Sequence, residues 1–212
     1  MAENAGSRGT FGVAPVASEL PHVLRQSQFV RFVLVTLTWS TGHMLVLISN
    51  SFLIYDMTGS GLWLAALGAS LAIPQFIFAG VGGVLADRLP RRVMLVSGSV
   101  IGAATMVILA ALSFADLLEP WHIVAAGVSF GAALGNDWSA RQAFIANLVH
   151  RSQLVRAVSF DQTSFHISRV TAPLMGGVLL ASTGSEGTFT LGAVSFLIAA
   201  LLLMTLNPRQ DI

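Results

Sequence analysis

The chain has 212 residues, of which 54% are hydrophobic and 10% are charged, and its mean hydropathy is +0.76. Because soluble domains carry about 25% charged residues, this composition excludes an ordinary water-soluble globule and predicts an all-α membrane protein. The net charge of +1 gives no sign of a nucleic-acid partner, and the absence of cysteine excludes disulfides, thiolate metal sites and a cysteine nucleophile.

Apolar runs separated by polar breaks divide the chain into a tail, a six-span bundle and a short end. Residues 1–26 predict a flexible cytoplasmic tail rather than a signal peptide, since the first apolar run begins late and is too long. The transmembrane bundle occupies residues 27–207, and residues 208–212 are a cytoplasmic end. At about 20 residues per span, the predicted helices are 29–55, 62–85, 93–114, 121–145, 154–182 and 189–206.

The positions of the basic residues predict the orientation. All eleven are arginine, and apart from Arg169 they fall at the tail, between spans two and three, around the connection of spans four and five, and after span six. The opposite loops hold only acidic charges, namely Asp56, Asp116, Glu119 and Glu186. Since cytoplasmic loops are enriched in arginine and lysine, we expect six spans with both termini in the cytoplasm.

The hairpin between spans two and three carries a recognisable pattern. Glycine, leucine, aspartate and arginine residues stand in the order G-x-L-x-D-R-x-P-R-R-x-x-L, at Gly83, Leu85, Asp87, Arg88, Pro90, Arg91, Arg92 and Leu95. This resembles the signature loop of the major facilitator superfamily of secondary transporters, with Pro90 in the place of a glycine. Both are turn residues. The alternative is a solvated loop that only sets the membrane topology.

A second resemblance covers spans four and five. The segments 140–143 and 148–154, with Asp161, Ser168 and Arg169, are similar to bacterial siderophore, macrolide and multidrug exporters. Ala172-Pro173 followed by Gly176-Gly177 resembles the antiporter motif of that branch. The resemblance implies a bacterial inner-membrane protein, one six-helix half built from two three-helix repeats, and proton-coupled efflux.

Small residues recur at four-residue spacing in span five, at Ser168, Ala172 and Gly176. Such a stripe lets another helix approach closely, and Pro173 is a natural kink site. Ordinary helix packing and a hinge between inward and outward states are both consistent with it.

Charged residues within the spans are the best functional candidates. Asp137 and Arg141 lie four residues apart on one helix face, and Asp161 enters the next helix at a similar level. We expect a cytoplasmic network of these residues with Asp87, serving as a structural lock or as a gate. If protons drive transport, Asp137 and Asp161 are the first candidates to titrate.

Arg169 lies too deep in span five to reach the membrane surface, so it is expected to face the bundle interior, as structural glue or as a contact for substrate. Other polar residues within spans are expected to line a cavity or to pack through hydrogen bonds. They are His43, Asn50, Gln75 and His166.

No pattern predicts an enzyme, a metal site or a cofactor. Ser60 is flanked by glycines but has no histidine nearby, and the histidines are scattered singly. The sequence therefore predicts efflux of a small amphipathic or hydrophobic compound by half of a transporter. Expected partners are the lipid bilayer, the substrate, protons, and a second half or second copy. The alternative is a truncated module that transports nothing.

Overall fold

A computed structural model of the chain is all-helical over the residues it describes, which are 27–86 and 89–206; for residues 81–86, 136 and 139 it describes the backbone. The helices are α1 (Ser27–Thr58), α2 (Gly61–Ala86), α3 (Arg91–Phe114), α4 (Pro120–Leu148) and α5 (Leu154–Thr205), with a 3₁₀ turn at Arg151–Gln153. The predicted tail and carboxyl end, with Asp87 and Arg88, lie outside the described residues.

Within residues 27–86 and 89–206, four helical segments are long and apolar enough to cross a membrane, judged by length and composition. They are Ser27–Thr58, Gly61–Gly80, Arg91–Phe114 and Arg151–Thr205. The last includes the 52 residues of α5, which at about 1.5 Å per residue would be far longer than the roughly 30 Å hydrocarbon core of a bilayer.

Helix α5 is divided at Gly184, where the backbone leaves helical geometry with φ 69° and ψ −163°. We call residues 154–183 α5a and residues 185–205 α5b. The sequence predicts a turn at 184–187 and a helix from Phe189, whereas the chain becomes helical again directly after Gly184. A single glycine reverses the direction because it can adopt a backbone conformation that other residues avoid.

The helices pack mainly in four pairs: α1 with α5, α2 with α4, α3 with α5, and α3 with α4. Contacts along α1 and α5a advance together from Thr36–Asp161 to Leu45–Gly176, so these two helices run parallel. Contacts along α3 and α5b run in opposite directions, from Arg92–Met204 to Ser113–Ser185. The ends of α3, α4 and α5b that contact Arg91 and Arg92 define one side of the bundle, which we call the arginine end.

The core lies around the ring of Phe196 on α5b. This ring packs against Phe130 of α4 and Trp39 of α1, with centroids 5.7 and 6.5 Å away. It fits against Gly42 and Gly102, where a side chain would come within about 3.0 Å of the ring. Phe196 therefore joins α1, α3, α4 and α5b at one point, which fixes the positions of the helices that carry the polar network described below.

Gly184→Ala should destabilise the protein by about 2 kcal/mol, because an alanine at this φ and ψ is strained. Gly177→Ala on the same helix is the control, since nothing lies within 4 Å of its added methyl group. Thermal unfolding in detergent micelles, followed by circular dichroism, measures the difference. Equal unfolding temperatures for the two variants would show that a side chain at position 184 does not strain the backbone.

Candidate functional site: a buried polar network

The side chain of Arg141 on α4 is the centre of a buried polar network. Its Nε donates to Asp137 Oδ2 at 3.1 Å, one helical turn earlier on the same helix. Its guanidinium carbon lies 4.8 Å from the ring centroid of Trp39 and 5.6 Å from that of Phe32, both on α1. The cation is therefore held by a carboxylate and by two aromatic faces.

Thr36 on α1 links this ion pair to the fifth helix. Arg141 Nη1 donates to Thr36 Oγ1 at 2.8 Å, and the Thr36 hydroxyl donates to Asp161 Oδ1 on α5a. The hydroxyl also lies 3.2 Å from the carbonyl oxygen of Phe32. One side chain thus connects α1, α4 and α5a. Thr36 is not among the residues predicted from the sequence, since a threonine within a helix commonly hydrogen-bonds its own backbone.

The network is almost completely shielded from solvent. Arg141 is 3% exposed, Asp161 1% and Asp137 6%. Measured along each helix at about 1.5 Å per residue, the three residues lie roughly 10–16 Å from the arginine end. Asp137 Oδ1 and Asp161 Oδ2 are buried with no hydrogen-bond partner among the described residues. Each carboxylate therefore keeps one oxygen at which a proton can bind.

Two arginines of the hairpin motif donate hydrogen bonds to the carboxyl-terminal parts of α4 and α5b. Arg91 Nη1 donates to the carbonyl oxygen of Ala143 at 3.1 Å and to Asn147 Oδ1 at 3.4 Å, both in the last part of α4. Arg92 donates to the carbonyl oxygen of Met204 in the last turn of α5b. Cations stabilise the carboxyl ends of helices, where carbonyl groups lack partners. Gly83 and Leu85 lie in the last turns of α2.

The expectation that Arg169 faces the interior of this bundle is wrong. Its side chain is exposed on α5a, and its guanidinium carbon lies 6.0 Å from the ring centroid of Phe165. The position of Arg169 along its helix was predictable from the sequence. The direction in which its side chain points depends on which helices pack beside α5a. His166 and Gln75 are also exposed.

Of the two polar candidates on the first helix, Asn50 is buried and His43 is half-buried. Asn50 is 2% exposed, and its Oδ1 has no partner within the described part of the chain. His43 is half-buried, stacks on Trp39 with centroids 5.4 Å apart, and has a buried Nδ1 that is likewise without a partner there. Asn50 therefore does not line an open surface of this bundle, whereas His43 reaches one.

The small-residue stripe of span five packs against α1. Ser168, Ala172 and Gly176 are buried, Ser168 Oγ donates to the Leu37 carbonyl oxygen at 3.5 Å, and a side chain at Gly176 would come within 3.0 Å of Leu45. Pro173 lies within the helix, and Gly177 points away from the bundle. The stripe allows the close approach of α1 and α5a that brings Thr36 to Asp161.

A second glycine stripe, at Gly127, Gly131 and Gly135, lies between α4 and α2. A side chain at Gly131 would overlap the Leu71 carbonyl oxygen, and one at Gly135 would come within 2.6 Å of the Gln75 carbonyl oxygen. This contact is not among the sequence predictions, although the four-residue spacing of the glycines is typical of closely packed helices.

A family model described as transmembrane secretion effector matches residues 19–211. The chain belongs to the major facilitator superfamily. The resemblance that the hairpin and the fifth span indicated, including the siderophore and efflux branch of the superfamily, is thereby confirmed.

Similar proteins in this superfamily are transporters. The chain is 34% identical over 141 residues to the enterobactin exporter EntS of Salmonella paratyphi A, covering 65% of this chain and 33% of that protein. It is 26% identical over 156 residues to the MFS-type transporter YfiS of Bacillus subtilis, covering 74% and 36%. A Na⁺, Li⁺, K⁺/H⁺ antiporter of Planococcus maritimus is 31% identical over 121 residues, covering 57% and 28%. The matched region is about a third of the length of these relatives.

The facilitator fold is also found in a solved structure. The bundle superposes on the POT family transporter PepTSo with a TM-score of 0.71 at 14% identity, covering 88% of this chain and 40% of that one. At this identity the likeness concerns the fold alone. The chain is thus a multi-pass membrane protein with a facilitator-type helical bundle.

Proposed function

We propose that the chain is one six-span half of a secondary transporter that exports a small amphipathic or hydrophobic compound in exchange for protons. The observation that carries the proposal is the buried network in which Arg141 connects Asp137 and, through Thr36, Asp161. Buried ionisable residues within membrane helices are costly and are commonly retained for function. The similar proteins include an enterobactin exporter and a Na⁺, Li⁺, K⁺/H⁺ antiporter, which supports export and proton exchange.

The single hydroxyl proton of Thr36 gives this network two arrangements. While Asp161 is ionised, the hydroxyl donates to Asp161 Oδ1 and accepts from Arg141. When Asp161 binds a proton, its own hydroxyl can donate to Thr36, and the Thr36 proton turns to the Phe32 carbonyl oxygen 3.2 Å away. Protonation thereby weakens the attraction between α5a and the Arg141 cation. The helices α1, α4 and α5a are then free to shift.

The six spans of the proposal are α1, α2, α3, α4, α5a and α5b. The break at Gly184 divides α5 into segments of roughly 45 and 30 Å at about 1.5 Å per residue, each long enough to cross a bilayer. The arginine end is proposed to be cytoplasmic, which places both termini there. A second bundle of similar size, from a second copy or another polypeptide segment, completes the transport path.

Asp161→Asn should reduce pH-driven transport by at least about tenfold, because the amide cannot bind and release a proton. The measurement is uptake of ethidium and of dansylglycine into proteoliposomes under an imposed pH gradient. Asp56→Asn, at an exposed position on the opposite end, is the matched control and should transport like the unmodified chain. Transport that persists in both Asp161→Asn and Asp137→Asn would rule out these aspartates as the coupling groups.

The oligomeric mass in mild detergent tests whether a second copy of the chain supplies the second bundle. A dimer that transports would support two copies forming the path. A monomer that transports neither compound would favour the alternative, a membrane module that needs a separate second half or transports nothing.

A further inference from the structure

Arg169 carries a positive charge near the middle of α5a, on an exposed face of the helix. It lies about 21–22 Å from either end of α5a at 1.5 Å per residue. In a hydrocarbon core of about 30 Å centred on this helix, Arg169 would lie roughly 14–15 Å from either edge, which is beyond the reach of an arginine side chain. A cation facing hydrocarbon at this depth would be strongly unfavourable. The face of α5a that carries Arg169 therefore borders a polar space or another part of the transporter.

Aromatic rings from two helices accompany this cation. The Arg169 guanidinium lies 6.0 Å from the Phe165 ring centroid, and the Phe165 ring meets the Trp138 ring of α4 edge to face with centroids 6.2 Å apart. The Trp138 side chain is 54% exposed although it lies one residue after the buried Asp137. Trp138, Phe165 and Arg169 form a row across the α4–α5a boundary, which we call the aromatic row; Trp138 and Arg169 are exposed and Phe165 is half-buried between them.

No acidic side chain among the described residues balances the charge of Arg169. No aspartate or glutamate of the described residues forms an ion pair with it, and Asp161, two turns earlier, lies buried and bonded to Thr36. The imidazole of His43 on α1 is an ionisable group that interacts electrostatically with Arg169, and its Nδ1 has no partner in the described residues. His166, beside Phe165, is exposed.

We propose that the aromatic row, Trp138, Phe165 and Arg169, binds an aromatic organic anion, with His43 at its edge. The carboxylate or other anionic group of this compound pairs with the Arg169 guanidinium, which supplies parallel N–H donors, while its ring packs against Trp138 and Phe165. The charge excludes lipophilic cations from the same position. The inference rests on the proposed function, since it names the class of compound that the transporter carries.

Binding of dansylglycine tests the proposal, and dansylamide is its uncharged counterpart. We expect the purified chain in lipid nanodiscs, after subtraction of empty nanodiscs, to bind dansylglycine more tightly than dansylamide by fluorescence anisotropy. Arg169→Gln should weaken dansylglycine binding about tenfold, the loss of roughly one charged contact, and leave dansylamide binding unchanged. Arg31→Gln, an exposed arginine near the start of α1, is the control and should bind both compounds like the unmodified chain.

Two further variants separate loss of the site from loss of the fold. Arg169→Lys keeps the charge and should still bind dansylglycine more tightly than dansylamide. Phe165→Leu should weaken the binding of both compounds. Equal affinities of the unmodified chain for the two compounds, or full dansylglycine binding by Arg169→Gln, would overturn the proposal.

Transport assays distinguish this inference from the proposed function. Tight, Arg169-dependent binding without pH-driven flux would leave the anion site standing and refute the transport proposal for this chain. Flux of dansylglycine at the unmodified rate through Arg169→Gln would refute the anion site and leave proton-driven transport standing.

Discussion

Replacing Arg141 with methionine should destabilise the bundle by about 3–5 kcal/mol, because it leaves the buried carboxylates of Asp137 and Asp161 without their cation. The methionine fills a similar volume between Trp39 and Phe32, so the loss reports charge rather than a cavity. Thermal unfolding in detergent micelles is the measurement. Arg31→Met, at an exposed position, is the control and should change the unfolding temperature little.

A triple variant makes the test specific. Combining Arg141→Met with Asp137→Asn and Asp161→Asn removes the stranded charges, so the triple variant should be more stable than Arg141→Met alone. If Arg141→Met unfolds at the same temperature as Arg31→Met, the buried network does not hold the helices together. If the triple variant is less stable than the single one, the cost of Arg141→Met is not a cost of unpaired charge.

Gly131→Ala should destabilise the bundle by about 3 kcal/mol, the upper part of the range for overpacking. Its methyl group would overlap the Leu71 carbonyl oxygen and lie 3.0 Å from the Leu71 carbonyl carbon. The obstacle is backbone, which cannot turn aside as a flexible side chain can, so α2 and α4 must separate.

Gly68→Ala on the facing helix α2 is the matched control. Nothing lies within 4 Å of its added methyl group, so the same chemical change should leave the unfolding temperature unchanged or slightly raised. Unfolding of both variants is compared in the same detergent. A Gly131→Ala protein as stable as Gly68→Ala would mean that α2 and α4 do not approach as closely as the structure has them.

The positions of the helices along the sequence were largely predictable. Hydrophobic runs and their polar breaks give each helix to within a few residues, because the bilayer demands about 20 apolar residues per span. The turn at Gly184 was also expected, but its brevity was not. A predicted four-residue break at 184–187 is in fact a change of backbone angle at one glycine.

The lateral arrangement was predictable only where residues share a helix. Asp137 and Arg141 are four residues apart, and helical geometry alone brings them together. Thr36 and Asp161 lie on different helices, and no periodicity reveals that α1 and α5a are neighbours. Arg169 shows the same limit, since its depth follows from counting residues while its direction follows from packing.

The pairing of α1 with α5a also governs how the protein is made. The Thr36–Asp161 contact joins residues 125 positions apart, and ribosomes add about 5–20 residues per second. Asp161 on α5a, the main partner of the first helix, is therefore synthesised roughly 6–25 seconds after Thr36. During that time Thr36, Ser40 and Asn50, all buried in the finished protein, face whatever surrounds a newly inserted helix. Until α5a is inserted, these polar side chains of the first helix must be accommodated by the insertion machinery or by transient contacts with other helices.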